Sequence, residues 1–330
     1  MIRIRAHERG AALLAVLMLV AIMAGLAAMA LDRLRLATRI AANGAGIEQA
    51  RFLALAAEQV AVARIAALRR AAGERADPGG WQGRRVGLPL PAGLAAARLS
   101  DGGNCFNLNS VVSGATTGPD IRFVTRPTGL AQFVALMEGL GIGAAEARRA
   151  GDALADWIDT DDYPRAMGAE DAAYRALPVP HLTAGTVLAD PSELAAIAGI
   201  GPALYQRLKP WVCTLPVTDL SPINVNTLTP EQVPLLTMLS PEQIPPARAR
   251  ALIARRPAGG WESVAAFWND AGRLGAEAPA DVQAQPRVQT RWFALDVEVA
   301  VGGADFAERA LIDAGANPAR IVARRWGDGQ

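Results

Sequence analysis

Residues 11–31 read AALLAVLMLVAIMAGLAAMAL, and residues 32–72 continue as DRLRLATRIAANGAGIEQARFLALAAEQVAVARIAALRRAA. The first stretch is 21 residues without a charge, and about 20 residues at 1.5 Å per residue cross a hydrocarbon core of roughly 30 Å. In the second stretch Ile47, Ala50, Ala54, Ala57, Ala61, Ile65, Leu68 and Ala72 recur three or four apart, which places them on one face of a helix. Glu48, Gln49, Arg51, Glu58, Gln59, Arg64, Arg69 and Arg70 occupy the other faces, and no proline occurs before Pro78. Residues 11–72 therefore read as one helix of about 90 Å, half in a membrane and half packed on a folded body. Asn43, Gly44 and Gly46 are its expected weak point, because a glycine costs about 1 kcal/mol in a helix interior.

Before the helix stand Arg3, Arg5 and Arg9 against Glu8. This positive excess holds the N-terminus in the cytoplasm and sends the body outward. Three fates of the segment follow from the pattern. It is a cleaved secretory signal ending at Ala28-Met29-Ala30, a plain uncleaved anchor, or an anchor freed of a leader by a cut between Gly10 and Ala11. The helical continuation to residue 72 favours an anchor, since a removable signal needs none.

A short basic leader ending in Gly10, an apolar run and a long amphipathic helix resemble type IV pilins and type II secretion pseudopilins. The resemblance implies cleavage after Gly10 by a prepilin peptidase and methylation of the new N-terminus at Ala11. Most of that family carries Glu at the fifth mature position, where this chain has Ala15. In the family that Glu pairs with the neighbouring subunit's amine. A subunit lacking it resembles the minor pseudopilin K family (general secretion pathway protein K), placed at the filament tip.

The 330 residues include 33 basic and 32 acidic ones, a net charge of +1. This argues against a strongly basic nucleic-acid binder but conceals an asymmetry. Residues 1–72 hold ten Arg and four acids, a net of +6, and the remainder carries −5. Alanine accounts for 69 residues, and enough larger apolar residues remain to build cores and exclude disorder.

Residues 73–125 are rich in Gly and Pro. The turn Asp101-Gly102-Gly103 between Arg98-Leu99-Ser100 and Cys105–Asn109 predicts a hairpin. Asn107-Leu108-Asn109-Ser110 resembles the NLNS of the K family, although Asn in loops mostly bonds its local backbone. Helices are expected over Leu130–Leu140 and Ala144–Ile158, with a further pair over Pro191–Trp211. Gly139–Gly143 and Gly199–Gly201 separate helices as a weak internal repeat. Such turns also resemble the helix-hairpin-helix of DNA-binding proteins, where backbone amides hold a phosphate. The chain has a single Lys, Lys209, and no basic cluster follows the second turn, so helix packing is the favoured role.

Seven carboxylates lie in residues 152–171 (Asp152, Asp156, Asp159, Asp161, Asp162, Glu170 and Asp171) against Arg165 alone. They repel one another unless solvated or bridged by a cation. Asp159, Asp161 and Glu170 fall at positions 1, 3 and 12 of a calcium-type loop, but position 6 is Pro164 where an EF-hand needs Gly. The spacing points to calcium without an EF-hand, with a solvated acidic surface and Asp helix caps as the alternative. The run Asp156-Trp157-Ile158-Asp159-Thr160-Asp161-Asp162, with Pro164, Gly168-Ala169-Glu170-Asp171 and Tyr174, resembles the most specific stretch of the K family. That family is associated with bound calcium, which the resemblance places on Asp159, Asp161 and Glu170, with Asp162 and Asp171 in reserve. Catalysis is disfavoured. His7 and His181 are the two histidines, no nucleophile elbow appears and zinc lacks partners.

Cys105 and Cys213 are 108 residues apart and can pair in an exported body, the alternative being two buried thiols. Ile223-Asn224-Val225-Asn226-Thr227 resembles the INVNTA of the K family. Helical stretches are expected near 230–239 and 241–255, then Val264–Trp268. Arg248, Arg250, Arg255 and Arg256 make this region the best case for a helix-hairpin-helix DNA-binding or DNA-uptake protein. Phe293–Val301 alternates as a half-buried strand, Gly302-Gly303 turns it, and Phe306–Leu311 and Arg320–Trp326 return.

The expected fold is α+β: a pilin-like helix packed on an antiparallel sheet, with a large all-α insertion. The expected divisions are a leader (1–10), a transmembrane part (11–31), helix and first strands (32–125), an all-α insert (126–212), and a helical segment with closing strands (213–330). The resemblance implies a single-pass inner-membrane protein with a periplasmic body. It implies a role in starting or capping the pseudopilus that exports folded proteins. The implied partners are minor pseudopilins I, J and H, the major pseudopilin and, in prospect, the exported substrates, with no nucleic acid.

Overall fold

The computed structural model describes residues 6–72, 80–88, 94–118, 121–276 and 278–327, with backbone only for 6–11 and 72. Arg3 and Arg5 of the leader lie outside the described residues, and Gly10 and Ala11 fall in the backbone-only start of the first helix.

Helix α1 (Ala6–Ala72) runs unbroken for 67 residues. Residues 12–45 are exposed along their whole length, and the helix is long and apolar enough to cross a membrane. From Gly46 onward one face is buried, through Ala50, Ala54, Ala57, Glu58 and Ile65. Ile47, expected on that face, is instead 41% exposed.

The buried face rests on a five-stranded antiparallel sheet of order β1-β2-β7-β8-β9. Its strands are β1 (Arg85–Leu88), β2 (Leu94–Asp101), β7 (Trp292–Val301), β8 (Ala304–Asp313) and β9 (Arg320–Trp326). Phe293, Leu295, Val297, Val299 and Val301 alternate inward, and with Ala310, Ile312 and the α1 alanines they form one core. Small residues on α1 let the helix axis approach the branched side chains of the sheet. Gly302 and Gly303, both at positive φ, turn β7 into β8. The expected weak point of α1 meets this turn. A Cβ on Gly46 would lie 3.2 Å from Ala304 Cβ and 3.6 Å from the Val301 carbonyl oxygen. A side chain there would press on the turn, so the close contact favours glycine and offsets part of its helix cost.

The hairpin expected at Asp101-Gly102-Gly103 does not form. Strand β2 pairs with β7, whereas β3 (Phe106–Asn107) pairs in parallel with β6 (Val212–Cys213). The turn instead carries the chain out of the sheet into a helical lobe. The Asp101 carboxylate causes this departure. It accepts hydrogen bonds from Gly103 N (2.9 Å), Asn224 Nδ2 (3.1 Å), Thr227 Oγ1 (2.8 Å) and Thr290 Oγ1 (2.7 Å), all on the lobe side.

The lobe contains β4 (Val112–Ser113) paired with β5 (Val124–Thr125), and helices α2 (Pro127–Gly139), α3 (Ala144–Ile158), α4 (Asp171–Arg175) and α5 (Pro202–Leu208). It continues through α6 (Val233–Thr237), α7 (Pro246–Arg255), α8 (Val264–Arg273) and α9 (Ala280–Gln283). The first half of the expected pair over 191–211 is a 3₁₀ turn, Pro191–Ala196, capped by Asp190. Phe106, Phe133, Leu154, Leu208, Leu236, Leu252, Phe267 and Val282 share one core. Residues 126–212 thus pack together with the segment that follows Cys213.

Candidate functional site

Helix α3 has an apolar face (Ala147, Ala150, Leu154, Trp157, Ile158) and, one turn apart, the two acids Asp152 and Asp156. These acids fold the following loop back. Asp156 Oδ2 accepts from Arg165 N at 3.0 Å, and Asp152 accepts from Arg165 Nε at 2.9 Å and Met167 N at 3.1 Å. Gly168 closes the fold, since a Cβ there would stand 1.9 Å from Asp156 Oδ2. Asp159 sits at the end of α3 and Glu170 at the start of α4. The loop brings oxygens of Asp159, Asp161 and Glu170 within 4.8 Å of one another.

Only some of these oxygens find donors: Asp161 Oδ1 accepts from Tyr163 N at 2.9 Å. Asp159 Oδ2 accepts from Thr125 Oγ1 at 3.0 Å, but the buried Asp159 Oδ1, Glu170 Oε1 and Asp156 Oδ1 have no hydrogen-bond partner. Burial pushes the Glu170 carboxyl up to about 7, and Asp156, Asp159, Asp161 and Asp162 add to the push. Burial likewise takes Asp156 to about 6 and raises Asp159. Convergent unpaired carboxylates are costly; a hard divalent cation with oxygen ligands at about 2.3–2.6 Å offsets that cost. The donor set fits calcium.

Asp162 and Asp171, held in reserve by the sequence reading, are not in this group. Asp171 is used elsewhere: it accepts from Thr183 N and Oγ1 at 2.9 Å each, and from Arg175 Nη2 at 2.7 Å. Those bonds hold its carboxyl below the usual range. Asp156, which the 1, 3 and 12 spacing does not select, lies buried beneath the loop and holds it through Arg165 N. Its signal was the i, i+4 relation to Asp152 on an otherwise apolar helix face.

The two asparagine motifs bond far beyond their local backbone. Asn109 Nδ2 donates to the Leu188 and Leu215 carbonyls at 2.9 Å each, and its Oδ1 accepts from Leu188 N at 2.8 Å. Asn107 Nδ2 donates to the carbonyls of Val217 and Asp219, while its Oδ1 accepts from Leu215 N. Asn226 brackets Trp261 through its backbone N and O. A buried amide side chain satisfies donors and acceptors that irregular backbone leaves open. Beside this network Cys105 and Cys213 are joined in a disulfide with Cα atoms 5.8 Å apart.

Several of the features that suggested phosphate binding serve packing. Arg256 Nη1 donates to the Val225 and Leu228 carbonyls, and Arg248 Nη1 to the Gln243 carbonyl. Gly199, at positive φ, lies under the Arg149 side chain. Arg207 Nη2 closes the end of α2 by donating to the Leu140 carbonyl at 2.9 Å.

Family models described as "Type II secretion system (T2SS), protein K" match residues 104–217 and 223–294. The chain is 34% identical to type II secretion system protein K of Pectobacterium carotovorum subsp. carotovorum, covering 98% of each. It is 35% identical to the Klebsiella pneumoniae protein K, covering 97% of each. Among solved structures it resembles a chain of the GspK-GspI-GspJ complex from enterotoxigenic Escherichia coli. That match has a TM-score of 0.70 and 29% identity, covering 86% of this chain and 97% of the other. With an anchor-length helix on an antiparallel sheet and a helical lobe carrying these motifs, the chain belongs to the type II secretion system protein K family.

Proposed function

We propose that this chain is the minor pseudopilin at the tip of a type II secretion pseudopilus, where it starts or caps the filament that exports folded proteins across the outer membrane. The observation that carries this reading is the division of α1. Residues 12–31 are bare and apolar, residues 32–45 are bare but carry Asp32, Arg33, Arg35 and Arg39, and the same helix then continues unbroken into the core of the sheet. A helix of that kind is a stem for lateral packing among like helices in the inner membrane, and the body then lies in the periplasm. The lobe beyond Asp101 is a bulk that a terminal subunit tolerates and a repeating one does not.

The partners in this reading are minor pseudopilins I, J and H and the major pseudopilin; the solved relative in complex with GspI and GspJ supports the first two. Prepilin peptidase cuts between Gly10 and Ala11. Asp159, Asp161 and Glu170 hold calcium, which would steady the α3–α4 loop. N-terminal mass analysis of the mature protein tests the assignment. A methylated start at Ala11 is expected, and a start at Leu31 would overturn it. Isothermal titration with calcium tests the cation site; binding abolished in Glu170→Gln is expected, and no binding by the parent protein refutes it.

A further inference from the structure

Among the described residues of α1, Glu58 is the acid buried against the sheet, at 1% exposure. Arg324 on β9 grips it with both arms: Nε to Oε1 at 2.6 Å and Nη2 to Oε2 at 2.7 Å. A second carboxyl, Glu308 on β8, shares the pocket with its side chain fully buried. Its Oε1 lies 3.8 Å from Arg324 Nε. Trp326 Nε1 donates to Glu308 Oε2 at 3.1 Å, and Arg51 of α1 stands over the Trp326 ring, 4.1 Å from its centroid. These are the charged groups facing the contact from α1, β8 and β9. Two carboxyls thus share one guanidinium whose Nε and Nη2 are both turned to Glu58, and Glu308 Oε1 is left without a hydrogen-bond partner.

Such a pocket is balanced when one acid holds a proton. Glu308 is that acid, because Glu58 has both oxygens on Arg324 and Glu308 has a bare oxygen that a proton would turn toward Glu58. We propose that Glu308 is a proton-controlled latch for the C-terminal strand: protonated, it closes α1, β8 and β9 together; ionised, it loosens β9. Strand β9 is the sheet's edge and also carries one contact to the lobe, through Arg325 Nε and Asp190 Oδ2 at 2.6 Å. Opening the latch therefore also frees this contact between β9 and the lobe.

Burial, and then the Glu58 carboxyl, raise Glu308 from 4.5 to about 7. A carboxyl that binds its proton more tightly when the latch is closed favours closure most at low pH. Closure weakens as pH rises toward about 7 and then levels off. Glu58 is shifted the other way, downward, so it stays ionised across this window. Asp156 and Glu170 also titrate here, but in the lobe and away from β9.

Hydrogen exchange on the full mature chain in detergent micelles tests the latch. After correction for intrinsic rates, opening of residues 320–326 is expected to rise about tenfold per pH unit from about 5 to 7 and to flatten above. In Glu308→Gln, whose amide can donate to Glu58 at any pH, the same amides are expected to be flat. An equal slope in both proteins overturns the latch. If the variant fails to fold, carbon NMR of the Glu308 carboxyl in the parent protein decides. A titration near neutrality, followed by the β9 amides, supports the proposal. A carboxyl already ionised at pH 5 refutes it.

Discussion

The sheet half and the helical lobe are built on different physics. The sheet half is held by interdigitated apolar side chains: Ala50, Ala54 and Ala57 of α1 lie on Phe293, Leu295, Val297 and Val299 of β7, with the buried Glu58–Arg324 contact beside them. The lobe also has an apolar core, but its short helices are joined by irregular backbone. Its segments are tied by side-chain amides, the Asp101 carboxylate and a disulfide. Where chain geometry is regular, backbone groups satisfy one another and packing decides. Where it is irregular, buried polar side chains and crosslinks must complete the bonding. The lobe should therefore respond to loss of single polar groups, and the sheet half to loss of volume.

The largest effect is expected from the crosslink. Replacing Cys105 and Cys213 by Ser frees a loop spanning 108 residues. The expected cost is about 4–5 kcal/mol in the chain-entropy model, read by urea unfolding, with the loss confined to the lobe. A lobe as stable without the bridge would break the comparison. Next comes Asn109→Ala, which leaves two buried carbonyls and one amide without partners. A loss of roughly 3 kcal/mol is expected, larger than that of Ala50→Gly in the sheet half.

Removal of the proposed calcium comes third. By mass action a cation at about 100 times its dissociation constant stabilises the folded chain by about 2.7 kcal/mol, so a chelator should lower the lobe's melting temperature. The pH dependence sharpens this test. Glu170 is raised to about 7 and Asp156 to about 6, so the folded apo lobe binds protons that the unfolded chain releases. Its melting temperature should fall as pH rises from the ordinary carboxylate range to about 7, and calcium should remove that fall. An apo melt independent of pH would refute the electrostatic account. The smallest effect belongs to Phe52→Ala on α1. The ring is 69% exposed, so the melt should change by less than about 0.5 kcal/mol. Its exposure makes it a reporter of filament packing instead.

Legibility follows the same division. The α1 helix, α3 at Ala144–Ile158 and strands β7 to β9 stand where periodicity placed them, because regular elements repeat their burial along the chain. The hairpin at Asp101 was misjudged, since local turn chemistry fits a hairpin and a departure to another lobe equally well. Bonds from Asn224, Thr227 and Thr290 choose between them. At the candidate cation site, charge density and spacing singled out Asp159, Asp161 and Glu170. They did not tell that Asp171 would be spent on Thr183, nor that Asp156 would lie buried beneath the loop.

The sequence by itself determined the anchor, the amphipathic stem, the closing strands and the acidic stretch, because each is written in residue type at short spacing. Tertiary structure alone decided what meets across the chain. It set Gly46 against the β7–β8 turn, Asn109 between Leu188 and Leu215, and Glu58 beside Glu308 under Arg324. Such contacts join residues up to 266 positions apart, and no local pattern encodes a partner at that distance.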